Sequence, residues 1–344
     1  MNRKNLFTAA ALLTGLFVSS YAHAFVFWTC NGNKIVWSDP FTMVPNTFSV
    51  PPGGQRDASV NNAINSWVGV IGMMDMVSKS STVTIGNTVT TGDGQNDVAV
   101  APRANIGGNN GLTLMIHSLC FLSSSWGEAD VFAASDLNFG PVKQDTLVSN
   151  SGRSTFMHEF GHAHGLDHDQ KFNNMRVPQP RPVVGGPNET VDVLPDDAAG
   201  GRFLYPSGNP EVNLFASAQR LNGATDTILM NHTGSITSCS GGGGTVTLNS
   251  TVGNNGTVNV TQTERWWVST DPNAFSGGFL IFQWNNSTFN ANTVLTRQVT
   301  FKMPALPVGT YFLFHGVDVF HQVSESREDD NNVREGLIIN VINC

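Results

Sequence analysis

The chain has 344 residues, of which 40% are hydrophobic, so it is long and apolar enough for two ordinary globular domains and is not expected to be disordered. Its formal net charge is -8 at pH 7. Nucleic acid and anionic membrane surfaces are therefore not expected as partners, because both attract basic proteins.

The beginning of the chain, residues 1–24, is typical of a signal peptide. It has a basic start at residues 2–4, an apolar run at residues 6–18 and a small-x-small cleavage site at residues 22–24. The apolar run is shorter than the roughly 20 residues that span a bilayer. We therefore expect no membrane span, a mature chain that begins near Phe25, and a secreted protein, extracellular or periplasmic.

Export makes disulfides permissible, and the sequence has four cysteines, Cys30, Cys120, Cys239 and Cys344. Four cysteines allow three pairings. We favour Cys30 with Cys120 and Cys239 with Cys344, because each pair then stays within one predicted domain. The cysteines are too widely spaced in the sequence for a cysteine zinc site.

Residues 25–206 mix helical and strand patterns and predict an α+β domain. Ser59 is the predicted N-cap of a first helix, whose apolar residues recur at helical spacing: Val60, Ile64, Trp67 and Ile71. A second helix is predicted at 153–165, capped by Asn150 or Ser151, and a third at 195–204. Strands are predicted at 34–37, 82–85, 97–101 and 129–133.

Residues 207–344 change in composition to Thr, Asn, Val and Gly in short alternating runs. Such runs, separated by turn residues, predict an antiparallel all-β sandwich. The strand candidates are 245–252, 257–263, 278–284, 297–303, 309–319 and 336–342.

The second predicted helix carries the string H-E-x-x-H-x-x-G-x-x-H, formed by His158, Glu159, His162, Gly165 and His168. Residues four apart share a helix face, so His158 and His162 can bind one ion, and a left-handed turn at Gly165 would bring His168 back to it. Three imidazoles leave a position for water, which is typical of catalytic zinc. Glu159 is the predicted general base. The alternative is a histidine-rich surface segment that binds metal adventitiously.

This string resembles the zinc site of the metzincin metallopeptidases, and most closely that of the matrixin group. Met175 stands where that resemblance places the Met-turn, a methionine beneath the metal. Residues 127–139 resemble the strand that borders the family's substrate cleft, and residues 194–206 resemble its closing helix. The resemblance implies a twisted mixed sheet with three main helices, one catalytic Zn²⁺, and peptide-bond hydrolysis in protein or peptide substrates.

Other polar residues give weaker patterns. His164 lies off the face of the predicted ligands and is expected to be exposed. The loop at 91–97 has oxygen ligands spaced as for calcium at Asp93 and Asp97, but a turn is the favoured interpretation. Calcium is also considered at the charged turn 329–332.

The C-terminal part resembles CARDB domains, an adhesion-related family with an immunoglobulin-like sandwich. The residues that carry this resemblance are 250–260 and 306–333. It implies a cell-surface or glycan target for this domain, and we expect a monomer.

The combined prediction is a secreted zinc endopeptidase with an appended sandwich at 207–344. Because every predicted catalytic residue precedes Pro206, the sandwich is expected to be dispensable for the chemistry. Two alternatives stay open at this point: a non-catalytic, metal-stabilised adhesion or binding protein, and a zinc hydrolase of non-peptide amides.

Overall fold

The structure is a computed structural model that describes residues 26–71, 77–79, 92–117, 125–140, 151–167, 183–185, 190–193, 195–206, 211–222, 227–274, 277–325 and 331–344. The predicted signal peptide, the predicted strand at 82–85 and the charged turn at 329–330 lie outside these residues.

The first part of the described chain contains three α-helices beside a mixed sheet. The helices are α1 Gln55–Ile71, α2 Gly152–Ala163 and α3 Pro195–Leu204, with a 3-10 turn at Arg103–Ile106. The strands are β1 Val26–Phe27, β2 Thr29–Cys30, β3 Asn33–Lys34, β4 Phe41–Pro45, β5 Val77–Lys79, β6 Asn96–Ala101, β7 Gly111–His117, β8 Trp126–Ala134, β9 Leu166–Asp167, β10 Val183–Gly185 and β11 Thr190–Asp192.

The main sheet of this part has the order β5-β4-β6-β8-β7. All its pairings are parallel except that of β7 with β8, which is antiparallel. The predicted strands at 97–101 and 129–133 are confirmed as β6 and β8. A continuous strand at 34–37 is wrong, because β3 ends at Lys34 and Val36 forms only an isolated bridge with Ser125.

The core of this part lies between the sheet and the helices. The predicted apolar face of α1 is confirmed, since all four of its residues are buried: Val60, Ile64, Trp67 and Ile71. The predicted cap is wrong: the helix begins at Gln55, and the Ser59 hydroxyl lies 2.9 Å from the Gln55 carbonyl oxygen inside it. A serine hydroxyl can bond to the carbonyl of the preceding turn, so Ser59 is tolerated within the helix.

The second part is built from strands, as predicted. They are β12 Leu214–Ser217, β13 Gln219–Asn222, β14 Thr227–Met230, β15 Gly234–Cys239, β16 Thr245–Asn254, β17 Val260–Ser269, β18 Phe279–Phe289, β19 Thr293–Lys302, β20 Gly309–Val317 and β21 Asn332–Ile342. A five-stranded sheet, β15-β21-β20-β17-β18, and a three-stranded sheet, β12-β16-β19, share a core, and β13 pairs with β14. The prediction of purely antiparallel strands is wrong for β15, which runs parallel to β21.

One of the two predicted disulfides lies within the described residues. Cys239 and Cys344 are bonded, with their Cα atoms 5.5 Å apart, so this pairing is confirmed. Cys30 is also disulfide-bonded. Its predicted partner Cys120 lies outside the described residues.

In the first part the described residues form a large hydrophobic core between Phe41 and Tyr205 and a small cluster of Cys30, Ile35 and Trp126, and separate cores form from Leu214 onward. The domain boundary at residues 206 and 207 stays a prediction. No helix within the described ranges has the length and apolar character needed to cross a membrane.

Candidate active site

The histidines lie on α2, which begins where the sequence predicts. Ser151 is the N-cap, and its hydroxyl accepts a hydrogen bond from the backbone N–H of Ser154 at 3.4 Å. One face of the helix, with Phe156, Met157 and Phe160, is fully buried in the core. His158 and His162 are four residues apart on α2 and therefore lie on one side of the helix.

His158 and His162 lie one turn apart and face each other. Their Nε2 atoms are 3.1 Å apart. Nδ1 of His162 lies 2.8 Å from the carbonyl oxygen of Leu166, and because a carbonyl only accepts, Nδ1 carries the proton. Burial lowers the pKa of His162, so the ring is neutral and its Nε2 presents a lone pair.

This pair fits a zinc ion. Two imidazole nitrogens bound to one tetrahedral zinc at about 2.0–2.1 Å are about 3.3–3.4 Å apart, close to the observed separation. The hydrogen bond from His162 Nδ1 to a carbonyl is also the kind of contact that orients a metal-binding histidine. The predicted third ligand, His168, lies outside the described residues. Within the described part of the chain, no three metal-binding side chains come together. Met175 also lies outside the described residues.

Glu159 is buried beside the pair. Its Oε1 lies 4.0 Å from His158 Nε2, and its Oε2 accepts a hydrogen bond from the Thr113 hydroxyl at 2.6 Å. Burial raises the pKa of Glu159 to about 7, although the Thr113 hydrogen bond opposes the shift. A carboxyl group with this pKa can accept a proton as a general base and return it as a general acid near neutral pH.

The edge strand β7 approaches this carboxylate closely. A Cβ atom at Gly111 would lie 2.7 Å from Glu159 Cγ and 2.7 Å from Thr155 Cγ2, so a larger residue would displace Glu159. Sequence reasoning missed Gly111 and Thr113, since neither belongs to a motif. Residues 127–139, which resemble the cleft-bordering strand, contain most of β8, and β8 lies inside the sheet between β6 and β7. Their role at a substrate cleft stays a prediction.

Gly165 ends the histidine helix as predicted. Its φ is 99°, a region that favours glycine. A Cβ atom there would lie 3.0 Å from Trp126 Nε1 and 3.2 Å from the Ile35 carbonyl oxygen. The chain then enters β9, which pairs with β1. Both backbone conformation and close packing therefore require glycine at this turn.

The prediction that His164 is exposed is wrong. The side chain is fully buried, and its Nδ1 donates to the carbonyl oxygen of Phe160 at 2.6 Å. Burial lowers the pKa of His164 to about 4, so the ring is neutral. Residues four and seven apart lie on the same face of a helix, so His164 shares the face of Phe160 and Met157. Because that face is buried in the core, His164 is turned away from the predicted ligands but not toward solvent.

The loop that carries Asp93 and Asp97, described from residue 92, forms a turn. The Asp93 carboxylate accepts from the backbone N–H of Gln95 at 2.9 Å. The backbone N–H groups of Gly92 and Gly94 donate to the buried carboxylate of Glu128. Calcium binding at this loop stays a prediction.

None of the protein-family models matches the chain. Among solved structures it is similar to the CARDB domain of a Pyrococcus furiosus protein in solution, with 15% identity over 39% of this chain and 95% of that one, and a TM-score of 0.25. It is equally similar to the crystal structure of that CARDB domain with di-metal ions, with 16% identity, 39% and 89% coverage, and a TM-score of 0.25. A lytic polysaccharide monooxygenase from Jonesia denitrificans has 14% identity, 44% and 72% coverage, and a TM-score of 0.18. Similarities of this size do not assign a function to the chain.

Proposed function

We propose that this protein is an exported zinc endopeptidase that cleaves peptide bonds in protein substrates. The observation that carries the proposal is the pair of Nε2 atoms, 3.1 Å apart, with the buried Glu159 carboxylate 4.0 Å from one of them. His158, His162 and His168 would hold the ion. Zinc, when bound, polarises the scissile carbonyl and lowers the pKa of a water molecule.

Glu159 supplies the proton transfers. Thr113 holds Oε2, so Oε1, the oxygen nearer to His158, is the one that takes the proton of the attacking water. The same oxygen then delivers the proton to the leaving amine.

Strand β7 favours a peptide substrate over a small amide. Within the described residues it pairs with β8 on one side only, and Gly111 and Thr113 on this strand contact Glu159. An extended peptide can add to such an open strand edge through backbone hydrogen bonds. The scissile bond would then lie beside the carboxylate.

The sandwich would direct the enzyme to its target. On the sequence resemblance of residues 250–260 and 306–333 to CARDB domains, we extend the proposal to a cell-surface or glycan target for residues 207–344. The Cys239–Cys344 disulfide is consistent with an exported protein.

The proposal is tested by digesting a mixed protein library with the mature chain and reading the cleavage sites by mass spectrometry. A His162→Ala variant purified in the same way controls for contaminating proteases, and elemental analysis measures zinc in both. We expect one zinc per wild-type chain, cleavage by the wild type, and neither in the variant. Zinc without cleavage would favour a metal-stabilised binding protein, and absence of zinc after reconstitution would overturn the proposal.

A further inference from the structure

The closing helix α3 links the histidine site to the sandwich, and its first link lies at Tyr205. This residue directly follows α3 and is buried, and its hydroxyl donates to the carbonyl oxygen of His164 at 2.6 Å. His164 lies between the metal-binding His162 and the Gly165 turn. Tyr205 therefore holds the backbone at the point where the chain leaves α2.

Helix α3 is itself held tightly against the core. A Cβ atom at Gly201 would lie 3.1 Å from Ile71 and 3.4 Å from Trp67, so the helix packs on α1 at close range. A displacement of α3 would therefore disturb this packing and the Tyr205 hydrogen bond together.

The second link lies at Arg202, on the side of α3 that contacts the sandwich. Its Nε donates to Glu211 Oε2 at 3.3 Å, and its Nη1 donates to Asn292 Oδ1 at 3.0 Å. The Arg202 and Glu211 side chains are only 9% and 7% exposed. Glu211 is tied to the sandwich, because its backbone N–H donates to the Thr257 hydroxyl at 2.8 Å. The ion pair is thus a buried bridge between the two parts.

A third link joins the sandwich to the hairpin β10–β11. The Asn255 side-chain amide donates to the carbonyl oxygen of Val193 at 2.8 Å, and both residues are fully buried. Strand β11 contacts α1 and α2, whereas β10 contacts β12 and β21. The hairpin therefore lies between the histidine helix and the sandwich.

From these links we infer that the sandwich is part of the scaffold of the histidine site, and that Tyr205 is the positioning residue through which α3 fixes the end of α2. What the site binds rests on the proposed function. The inference replaces the expectation that the sandwich is dispensable. Removing it would leave Arg202 without its carboxylate and expose the buried Val193 and Arg202, at a cost to the site that α3 supports.

The first test compares Tyr205→Phe with Tyr311→Phe in the full mature chain. Both hydroxyls are buried and donate to a backbone carbonyl, but Tyr311 bonds to Pro307 inside the sandwich, at 2.9 Å. We expect Tyr205→Phe to weaken zinc binding about 10-fold in chelator competition and to alter the visible spectrum of the Co²⁺-substituted protein, as loss of an outer support for a metal ligand does. Tyr311→Phe should keep both at wild-type values. Equal zinc affinity and an unchanged spectrum in Tyr205→Phe would overturn the role of Tyr205.

The second test breaks the ion pair with Glu211→Gln and compares it with Asp318→Asn. Asp318 is a buried sandwich carboxylate whose two oxygens accept from the backbone N–H groups of Gln322 and Val323, both at 3.0 Å. We expect Glu211→Gln, unlike Asp318→Asn, to weaken zinc binding by roughly 3- to 10-fold, the range of a lost contact worth about 1 kcal/mol. If Glu211→Gln binds zinc as tightly as the wild type, the inferred coupling between the sandwich and the histidine site is wrong.

Hydrogen exchange separates this inference from the proposed function, because it needs no metal. In the metal-free chain, Glu211→Gln and Tyr205→Phe should both speed exchange of the backbone N–H of Gly165, which bonds to the His162 carbonyl at 2.7 Å. If the wild type binds no zinc, the proposed function fails while this readout still supports or refutes the coupling.

Discussion

Two buried glutamates, one in each part of the molecule, have pKa values that are shifted in opposite directions. Glu159 is 5% exposed, Thr113 is its one side-chain donor among the described residues, and burial raises its pKa to about 7. Glu264 in the sandwich is fully buried. Burial alone would raise its pKa as well, but hydrogen bonds and charges from His315, Arg297 and Ser250 outweigh burial and hold the pKa of Glu264 below its ordinary value.

The contacts explain the difference. Glu264 Oε1 accepts from Ser250 at 3.0 Å and from His315 at 3.1 Å, and Oε2 accepts from Arg297 at 2.6 Å. A buried carboxylate with this many partners is a structural group whose charge is compensated. Within the described part of the chain, Glu159 has fewer partners than Glu264, and it lies beside a histidine pair. Its position beside the histidine pair, together with its raised pKa, distinguishes Glu159 as the candidate catalytic residue.

The largest effect is expected for Glu159→Gln. Glutamine keeps the shape but lacks the base, so the cleavage rate should fall by about 10² to 10⁴. Zinc content and the free energy of unfolding should stay close to those of the wild type, because the substitution leaves no positively charged partner without its carboxylate. Peptide cleavage assays, elemental analysis and urea unfolding measure the three quantities. A variant that cuts at the wild-type rate would refute the role of Glu159.

Glu264→Gln should show the reverse pattern. Removing the charge leaves Arg297 and His315 without their carboxylate, and breaking a buried pair in this way costs about 3–5 kcal/mol of unfolding free energy. The folded fraction should cleave peptides normally. Urea unfolding measures the loss, with the exposed Asp271→Asn as the control. A loss below about 1 kcal/mol would show that the Glu264 network contributes little, and the contrast with Glu159 would not hold.

A smaller effect is expected for Gly111→Ala, which alters the surroundings of Glu159 without changing its chemistry. The new methyl group would lie 2.7 Å from Glu159 Cγ and push the carboxylate away from the histidine pair. Misplacement of a catalytic group by about 1 Å can cost up to 10²-fold, so we expect kcat to fall about 10- to 100-fold. Gly127→Ala is the matched control, since a Cβ atom there would make an ordinary contact of 3.5 Å with the Ile116 carbonyl oxygen. Equal kcat values in the two variants would contradict the prediction.

A further effect, on the pH dependence of stability, is expected at Asp130, a buried carboxyl group on β8. It accepts from the backbone N–H of Asp97 at 3.0 Å. Burial, followed by the charges of Glu128 and Asp97, raises the pKa of Asp130 from 3.8 to about 7. Between these values the folded chain holds a proton that the unfolded chain has lost, so stability falls as pH rises from about 4 to about 7.

The variant Asp130→Asn should remove this part of the pH dependence. Urea unfolding between pH 4 and 8 measures the slope in the wild type and the variant. Asp136→Asn is the control, because Asp136 is exposed and pairs with Arg103. A slope unchanged by Asp130→Asn would show that Asp130 does not bind the extra proton.

Much of the local structure is determined by the sequence itself. The turn at Gly165, helix α3 and the six predicted strands of the sandwich, found as β16 to β21, depend on patterns within about ten residues, and Ser151 is one of the two predicted caps. Strands β12 to β15 are not among the predicted strands. The facing of His158 and His162 follows from the helix period alone. The disulfide between Cys239 and Cys344 follows from dividing the chain into two domains, because both cysteines then belong to the second one.

The tertiary structure decided what surrounds these elements. Residues 113 and 159 meet only because β7 packs on α2, and residues 164 and 205 only because α3 closes over the end of that helix. The same holds for the burial of His164, the parallel pairing of β15 with β21 and the Arg202–Glu211 bridge. Helix period and capping act between near neighbours in the chain, whereas these contacts depend on how whole sheets and helices pack, which no short pattern encodes.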